Sequence, residues 1–282
     1  MRRALLACTL ACALGSLLAC GPAAAVPGVD EPDTIEVTGI RKPEVHKYKA
    51  ILAGLDTFDK HHALAPNVPE LRFRIRALRG AGLPEQARVR IEGEDGFVLP
   101  LALDAAKRFS VPRSEAALDA DAELALNQKR KFYRIEPDVR TPGLADNVRR
   151  LGDLRLECRV MVGIAKEEIS LVWVLAINGV LRTRDWCGFT LEDPPKFGFD
   201  AGAPVLKAIL REGERRKELE TSKNGFSVAL SDSSWSDEAL VELEFGAPPD
   251  APAPEAAPAA GQQQVAAAAS TGTAGETPRT AP

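Results

Sequence analysis

The stretch from residue 151 to residue 188 constrains the fold more than any other, because it is apolar in two different patterns. Across 154–165, apolar residues occupy alternate positions, which is the period of a strand with one buried face. Across 169–177 nearly every residue is apolar, and many are β-branched or aromatic, as in a strand covered on both faces. Asn178-Gly179 suits a two-residue turn into a return strand over 180–186. The stretch therefore predicts three adjacent strands at the centre of a β-sheet.

Outside this stretch, short segments with alternating apolar residues predict further strands at spacings of about ten residues. They lie at 71–76, 88–91, 97–103, 109–111, 123–126, 132–135, 226–230 and 239–245, the last two as a hairpin around the polar loop 231–237. Apolar residues three and four apart predict one amphipathic helix over 43–62, and a second over 204–221. The predicted fold is a mostly β, antiparallel sandwich with two accessory helices, over residues 43–246.

The N-terminal residues have the features of a secretory signal, since Arg2 and Arg3 precede an apolar run that is short for a membrane span. Leu17-Leu18-Ala19-Cys20 resembles the lipobox of bacterial lipoproteins. The resemblance implies that 1–20 contains the signal, that Cys20 carries the lipid, and that 21–42 is a tether to an envelope membrane. The alternative is cleavage after Ala23-Ala24-Ala25, which releases a soluble periplasmic protein.

Three further segments have a recognisable composition. Residues 247–282 are rich in Ala and Pro and contain no aromatic residue, which predicts a disordered tail. Residues 33–38 (DTIEVT) are similar to the TonB box of outer-membrane receptors, which implies an accessory role in TonB-linked uptake. Residues 96–112 resemble transthyretin-type and carboxypeptidase-regulatory sandwiches at the level of the fold.

The cysteines separate into two groups. Three of the five lie in or at the end of the signal segment, which leaves Cys158 and Cys187 in the folded body. Two cysteines in an exported protein predict one disulfide. A flat meander of the three central strands would hold the two cysteines too far apart. The bond is therefore expected to require either that the 154–165 strand enters the facing sheet or that the chain after Trp186 folds back across it.

No motif in the body points to a catalytic mechanism, because CxxC, HExxH, GxSxG and a Gly-rich phosphate loop are all absent. His46, His61 and His62 all fall in the predicted first helix, where adjacent side chains diverge by about 100°. We therefore expect no metal site and no cofactor. Because carboxylates are plentiful, a hydrolase that uses two carboxylates stays an alternative.

An arginine set is the feature of the body with the clearest binding chemistry. Alternation places Arg72, Arg74 and Arg76 on one face of a strand, and Arg88 and Arg90 on one face of another. If those strands are neighbours, they form a basic patch that suits phosphate or carboxylate groups, which guanidinium binds in bidentate fashion. The alternative is a solvated face whose arginines pair with nearby acids.

The sequence thus favours a non-enzymatic binding or scaffolding protein of the cell envelope. Its expected partners are the membrane, through the acyl anchor, and an envelope polyanion or envelope protein. Nucleic acid is not expected, because the chain has a net charge of −4 and losing Arg2 and Arg3 with the signal makes it more acidic.

Among the tryptophans, Trp173 lies in the most apolar predicted strand and is expected in the core.

Overall fold

The structure is a computed structural model that describes residues 40–189 and 195–246. The predicted signal with Cys20, the TonB-box-like segment, nearly all of the tether and the predicted tail lie outside the described residues. No helix in the two described ranges is both long and apolar enough to cross a membrane.

The N-terminal half contains two antiparallel sheets. Their strands are β1 (Pro43–Lys47), β2 (Arg72–Ala77), β3 (Val89–Glu92), β4 (Val98–Leu101), β5 (Arg108–Phe109), β6 (Glu123–Lys129) and β7 (Tyr133–Asp138). One sheet has the order β1-β6-β3-β4 and the other β5-β2-β7. Two helices accompany them, α1 (Tyr48–His61) and the short α2 (Glu115–Asp119). The predicted strands of this half are therefore present.

The C-terminal half contains two more antiparallel sheets. Their strands are β8 (Val148–Arg150), β9 (Lys196–Asp200), β10 (Val205–Glu212), β11 (Arg215–Glu218), β12 (Glu220–Ser222), β13 (Gly225–Ala229) and β14 (Leu240–Phe245). They pair in the orders β11-β10-β14-β8 and β12-β13-β9. The prediction of a mostly β, antiparallel, sandwich-like fold is confirmed. The last predicted hairpin is wrong, because β13 and β14 belong to different sheets.

The prediction of a strand over 154–165 is wrong, because α3 (Leu151–Glu168) occupies this place. One face of α3, with Leu156, Val160 and Ile164, packs in the hydrophobic core of the N-terminal half. The opposite face, with Leu154 and Cys158, packs in the core of the C-terminal half. Residues two apart on a helix differ by about 200°. A helix buried on two opposite faces therefore shows the alternation of a strand.

The next predicted strands, 169–177 and 180–186, are also wrong. Residues Leu171–Leu181 form a second helix, α4, which includes the Asn178-Gly179 pair that suggested a turn. A continuous apolar run does not distinguish a strand from a helix by its periodicity. Trp173 on α4 is 65% exposed, so its expected place in the core is wrong as well. The described residues contain four α-helices, where two were predicted.

The predicted helix over 204–221 is replaced by the strands β10, β11 and β12. A two-residue turn joins β10 to β11, with Glu212 opposite Arg215. Gly213, at the first position of this turn, has a φ of 58°, as a type II′ hairpin turn requires. The single glycine in the charged run was the signal that sequence reasoning missed.

The predicted first helix begins later than expected, since Pro43–Lys47 forms β1 and the helix α1 starts at Tyr48. Its expected apolar stripe is otherwise present, with Tyr48, Ile51 and Phe58 buried. The helix packs closely on α3 at Gly54, where an added Cβ would lie 2.7 Å from Cγ1 of Ile164. Glycine at this position allows the close approach of the two helices.

Candidate functional site

The predicted disulfide between Cys158 and Cys187 is confirmed, with Cα atoms 6.0 Å apart and a sequence separation of 29. The expected geometry in which the 154–165 strand enters the facing sheet is wrong, because this segment is the helix α3. Cys158 projects from α3, and Cys187 lies on the segment that returns after α4. The bond thereby closes a loop that contains the whole of α4.

The predicted arginine face of β2 is present. Phe73 and Ile75 are buried in the core of the N-terminal half, while Arg72, Arg74 and Arg76 point to the opposite side of the strand and are only half-buried. This alternation follows from the pleat of a strand with one buried face.

The second arginine pair does not join this face. Arg90 lies on β3, which belongs to the sheet β1-β6-β3-β4, whereas β2 lies in the sheet β5-β2-β7. Arg90 bonds to Glu92 at 2.5 Å, and the preceding Arg88 is exposed. The five predicted arginines therefore do not form one patch on neighbouring strands.

The β2 arginines face a cleft against the C-terminal half, which we call the arginine cleft. Its walls are Arg74 and Arg76 of β2, Asp200 at the end of β9, and Asn224 in the turn between β12 and β13. The cleft consists of two adjoining spaces of about 590 and 510 Å³ that share these four residues. Two further cations, Arg79 and Lys223, line the larger space.

Inside the cleft two acids are shared between two arginines. Arg76 Nε donates to Glu136 at 2.7 Å, and its Nη1 lies 3.6 Å from the Asp200 carboxylate. Arg74 Nη2 donates to the Asp200 carbonyl at 3.0 Å and lies 3.8 Å from Glu136. Burial lowers the pKa of Arg74, but Glu157 and other nearby acids outweigh this and raise it, so the guanidinium stays charged.

Two polar atoms of the cleft walls are buried and have no hydrogen-bond partner among the described residues: Arg74 Nε and Asn224 Oδ1. A buried donor or acceptor without a partner costs roughly 1–3 kcal/mol. Arg79 and Lys223 also form no ion pair within the described parts of the chain. The cleft thus presents two exposed cations without an ion pair among the described residues, above walls that contain an unused guanidinium donor and an unused amide oxygen.

Beneath the cleft lies a buried ion-pair network that sequence reasoning did not detect. Glu157 of α3 accepts from Arg149 Nη2 at 2.8 Å and from the Val139 amide at 3.0 Å. Asp138 bonds to Arg108 at 2.7 Å and to Arg140 at 3.0 Å. Burial raises the pKa of Glu157 against the opposing effect of Arg149. Burial also acts to raise the pKa of Asp138, but the surrounding arginines outweigh it and lower this pKa.

A second cluster surrounds His46, which lies in β1 and not in the predicted helix. One ring nitrogen of His46 bonds to Glu168 at the end of α3, and Nε2 lies 3.1 Å from the buried carboxylate of Glu44. Arg130 and Arg134 also approach Glu44, at 3.4 and 3.3 Å. The histidine therefore links β1 to the end of α3 through Glu168, which lies 122 residues away in the sequence, and no local motif reveals this contact.

Replacing His46 by Gln is expected to remove a pH-dependent part of the stability. Burial alone lowers the pKa of His46, but hydrogen bonds to Glu168 and Glu44 outweigh this effect and raise the pKa to about 9. Because the unfolded value is near 6.5, the stabilisation is fully present below about pH 6.5 and is lost as the pH rises through 9. The difference between the two pKa values corresponds to roughly 3 kcal/mol.

Denaturant unfolding of both proteins from pH 6 to pH 10 measures this effect. The free-energy difference between wild type and His46→Gln should be largest at pH 6, should shrink between about pH 6.5 and pH 9, and should be smallest at pH 10. A difference that stays constant over this range would contradict the assignment of a protonated His46 bridge.

The described residues contain no group of three or more His, Cys, Asp or Glu side chains that could hold a metal ion. The chain matches no family model, and no curated protein and no solved structure matches it either. Function is therefore inferred from the geometry and the charges of the described residues.

Proposed function

We propose that this protein is a non-enzymatic binding protein of the cell envelope, and that the arginine cleft binds a phosphate or carboxylate group of an envelope polyanion. The observation that carries the proposal is the pair of exposed cations Arg79 and Lys223, which form no ion pair among the described residues and line the same cleft as Arg74 and Arg76. An anionic oxygen of the ligand would accept hydrogen bonds from the Arg79 guanidinium and the Lys223 ammonium.

The charges of the larger space support an anionic ligand. Four cations line it, against three acids, and the acids are already engaged by arginines. The cations are Arg74, Arg76, Arg79 and Lys223, and the acids are Glu136, Glu157 and Asp200. This local excess of positive charge occurs on a chain with a net charge of −4. Because the carboxylates are held by arginines, the cleft favours binding over a two-carboxylate hydrolytic mechanism.

The place of action follows from the sequence. The proposal includes export and an acyl chain on Cys20, which would hold the cleft close to envelope polymers and would give the membrane as a first partner. Soluble release into the periplasm keeps the same ligand chemistry. An accessory role in TonB-linked uptake rests on the segment 33–38 alone.

Replacing Arg79 and Lys223 together by Gln tests the cleft without disturbing its buried ion pairs. Two exposed charge contacts contribute up to about 1 kcal/mol each. We therefore expect the double variant to bind lipopolysaccharide and polygalacturonate about tenfold more weakly than the wild type at low salt. Isothermal titration at two salt concentrations measures the change, and the wild-type affinity should fall as salt rises.

The matched control replaces Arg88 and Arg216 by Gln, which removes the same charge from exposed positions away from the cleft. This control should bind both probes as the wild type does. Equal losses in the two double variants would show attraction by net charge alone, and the cleft would then not be the site. A wild-type protein that binds neither probe would also refute the proposal.

A further inference from the structure

Helix α4 (Leu171–Leu181) is apolar and yet has no buried residue. The five large side chains that it presents to solvent are between 61% and 83% exposed. They are Leu171, Val172, Trp173, Leu175 and Val180. Contiguous apolar patches of this kind on a folded domain mark surfaces that bind a protein or a membrane.

The helix is held against the body along one stripe. Val174, Ile177, Asn178 and Leu181 are half-buried, at the three- and four-residue spacing of one helix face. Asn178 Oδ1 accepts a hydrogen bond from Trp186 Nε1 at 2.8 Å, and the adjacent Cys187 is bonded to Cys158 of α3. The outer face of α4 is therefore fixed in position and apolar along its length.

The charged side chains near α4 that have no ion-pair partner among the described residues are basic. Each acid at its base has a cationic partner: Glu167 lies 3.6 Å from Lys49, Glu168 bonds to His46, and Asp185 lies 2.9 Å from Arg159. From Ile169 to Arg184 the sequence contains no Asp or Glu. Arg182 and Arg184 are exposed and form no ion pair within residues 40–189 and 195–246.

We propose that α4 docks on the surface of an anionic phospholipid bilayer, with its outer apolar face in the interface and Arg182 and Arg184 at the lipid phosphates. Eleven residues of helix are about 16 Å long, roughly half the 30 Å thickness of the hydrocarbon core. The helix therefore lies in the interface and does not span it. Tryptophan favours this region, and basic residues beside an apolar helix face add attraction to anionic lipids.

A second copy of the chain fits this surface less well. In a parallel pair of α4 helices, Arg182 and Arg184 of both copies would lie side by side, and like charges there repel. In an antiparallel pair they would face the other copy's Glu167 and Glu168, which already have cationic partners. An anionic lipid surface instead supplies the missing negative charge. The docking surface shares no residue with the arginine cleft, so this inference does not depend on the proposed cleft ligand.

Fluorescence quenching of Trp173 tests the docking directly, using the exported full chain and vesicles of phosphatidylglycerol and phosphatidylethanolamine with brominated acyl chains. The chain has three tryptophans, of which Trp235 is buried and Trp186 is half-buried against α4. We expect emission to fall by roughly a third, and this fall should disappear in Trp173→Phe. The readout reports on α4 whether or not Cys20 carries a lipid.

Leu175→Asp should remove at least half of the quenching, whereas Leu206→Asp, at a similarly exposed leucine of β10, should leave it unchanged. Replacing Arg182 and Arg184 by Gln should lower quenching severalfold on anionic vesicles at low salt. Equal quenching of wild type and Trp173→Phe would overturn the proposal. A second pair of results would also overturn it: wild-type Trp173 is not quenched by the vesicles, and sedimentation without vesicles shows a dimer that Leu175→Asp dissociates.

Discussion

Replacing Glu157 by alanine is expected to lower the free energy of unfolding by about 3–5 kcal/mol, the cost of leaving one member of a buried ion pair without its partner. The Glu157 carboxylate is buried and bonds to Arg149 Nη2 at 2.8 Å and to the Val139 amide at 3.0 Å. The Arg149 side chain is only 2% exposed, so water cannot replace the lost carboxylate. Guanidinium denaturation, analysed as a two-state transition, measures the change.

Two further variants separate the ion pair from the loss of packing. Replacing Glu157 by Leu and Arg149 by Met together should recover much of the stability, because no unpaired charge is then buried. Glu242→Ala is the matched control, since it breaks the half-exposed pair with Arg211 and should cost less than about 1 kcal/mol. A loss below 1 kcal/mol for Glu157→Ala would show that the buried pair does not stabilise the junction of the two cores.

Removing the disulfide is expected to have the second largest effect. Replacing Cys158 and Cys187 by alanine opens a loop with a sequence separation of 29, which costs roughly 3–4 kcal/mol in the chain-entropy model. For a domain of about 200 residues this lowers the melting temperature by roughly 10 °C. Calorimetry of the oxidised wild type and of the double variant measures the difference.

Reduction of the wild type provides the control for this prediction. A reductant should lower the melting temperature of the wild type towards that of the alanine variant, and should leave the variant itself unchanged. Because the loop contains α4, the variant should also become more sensitive to proteases between 169 and 187. Equal melting temperatures with and without the bond would show that the loop is held by its other contacts, such as Arg159 with Asp185.

Features that depend on neighbours in the sequence were predicted well. The alternation of Phe73 and Ile75 with arginines predicted the strand β2 and its arginine face, because a pleated strand with one buried face imposes that period. The choice of Cys158 and Cys187 as a bonded pair followed from a count of cysteines outside the predicted signal segment. Neither prediction required knowledge of the packing partner.

The candidate sites were predicted only in part. Arg74 and Arg76 were identified from the sequence, but Asp200 at the end of β9 and Asn224 in the turn after β12, which complete the cleft, lie more than a hundred residues away. The His46 bridge likewise joins β1 to the end of α3. Contacts between such distant segments depend on topology, and no local pattern in a single sequence encodes them.

The central stretch shows the division between sequence and tertiary structure. In its first part the sequence by itself determined that Leu154, Leu156, Cys158 and Val160 avoid water, as the alternation predicted. It did not determine the conformation. The same alternation fits a strand that packs one face on a hydrophobic core, and it equally fits a helix that lies between two hydrophobic cores. Only the tertiary structure, with a hydrophobic core on each side of α3, made the helix the conformation that buries both sets of residues.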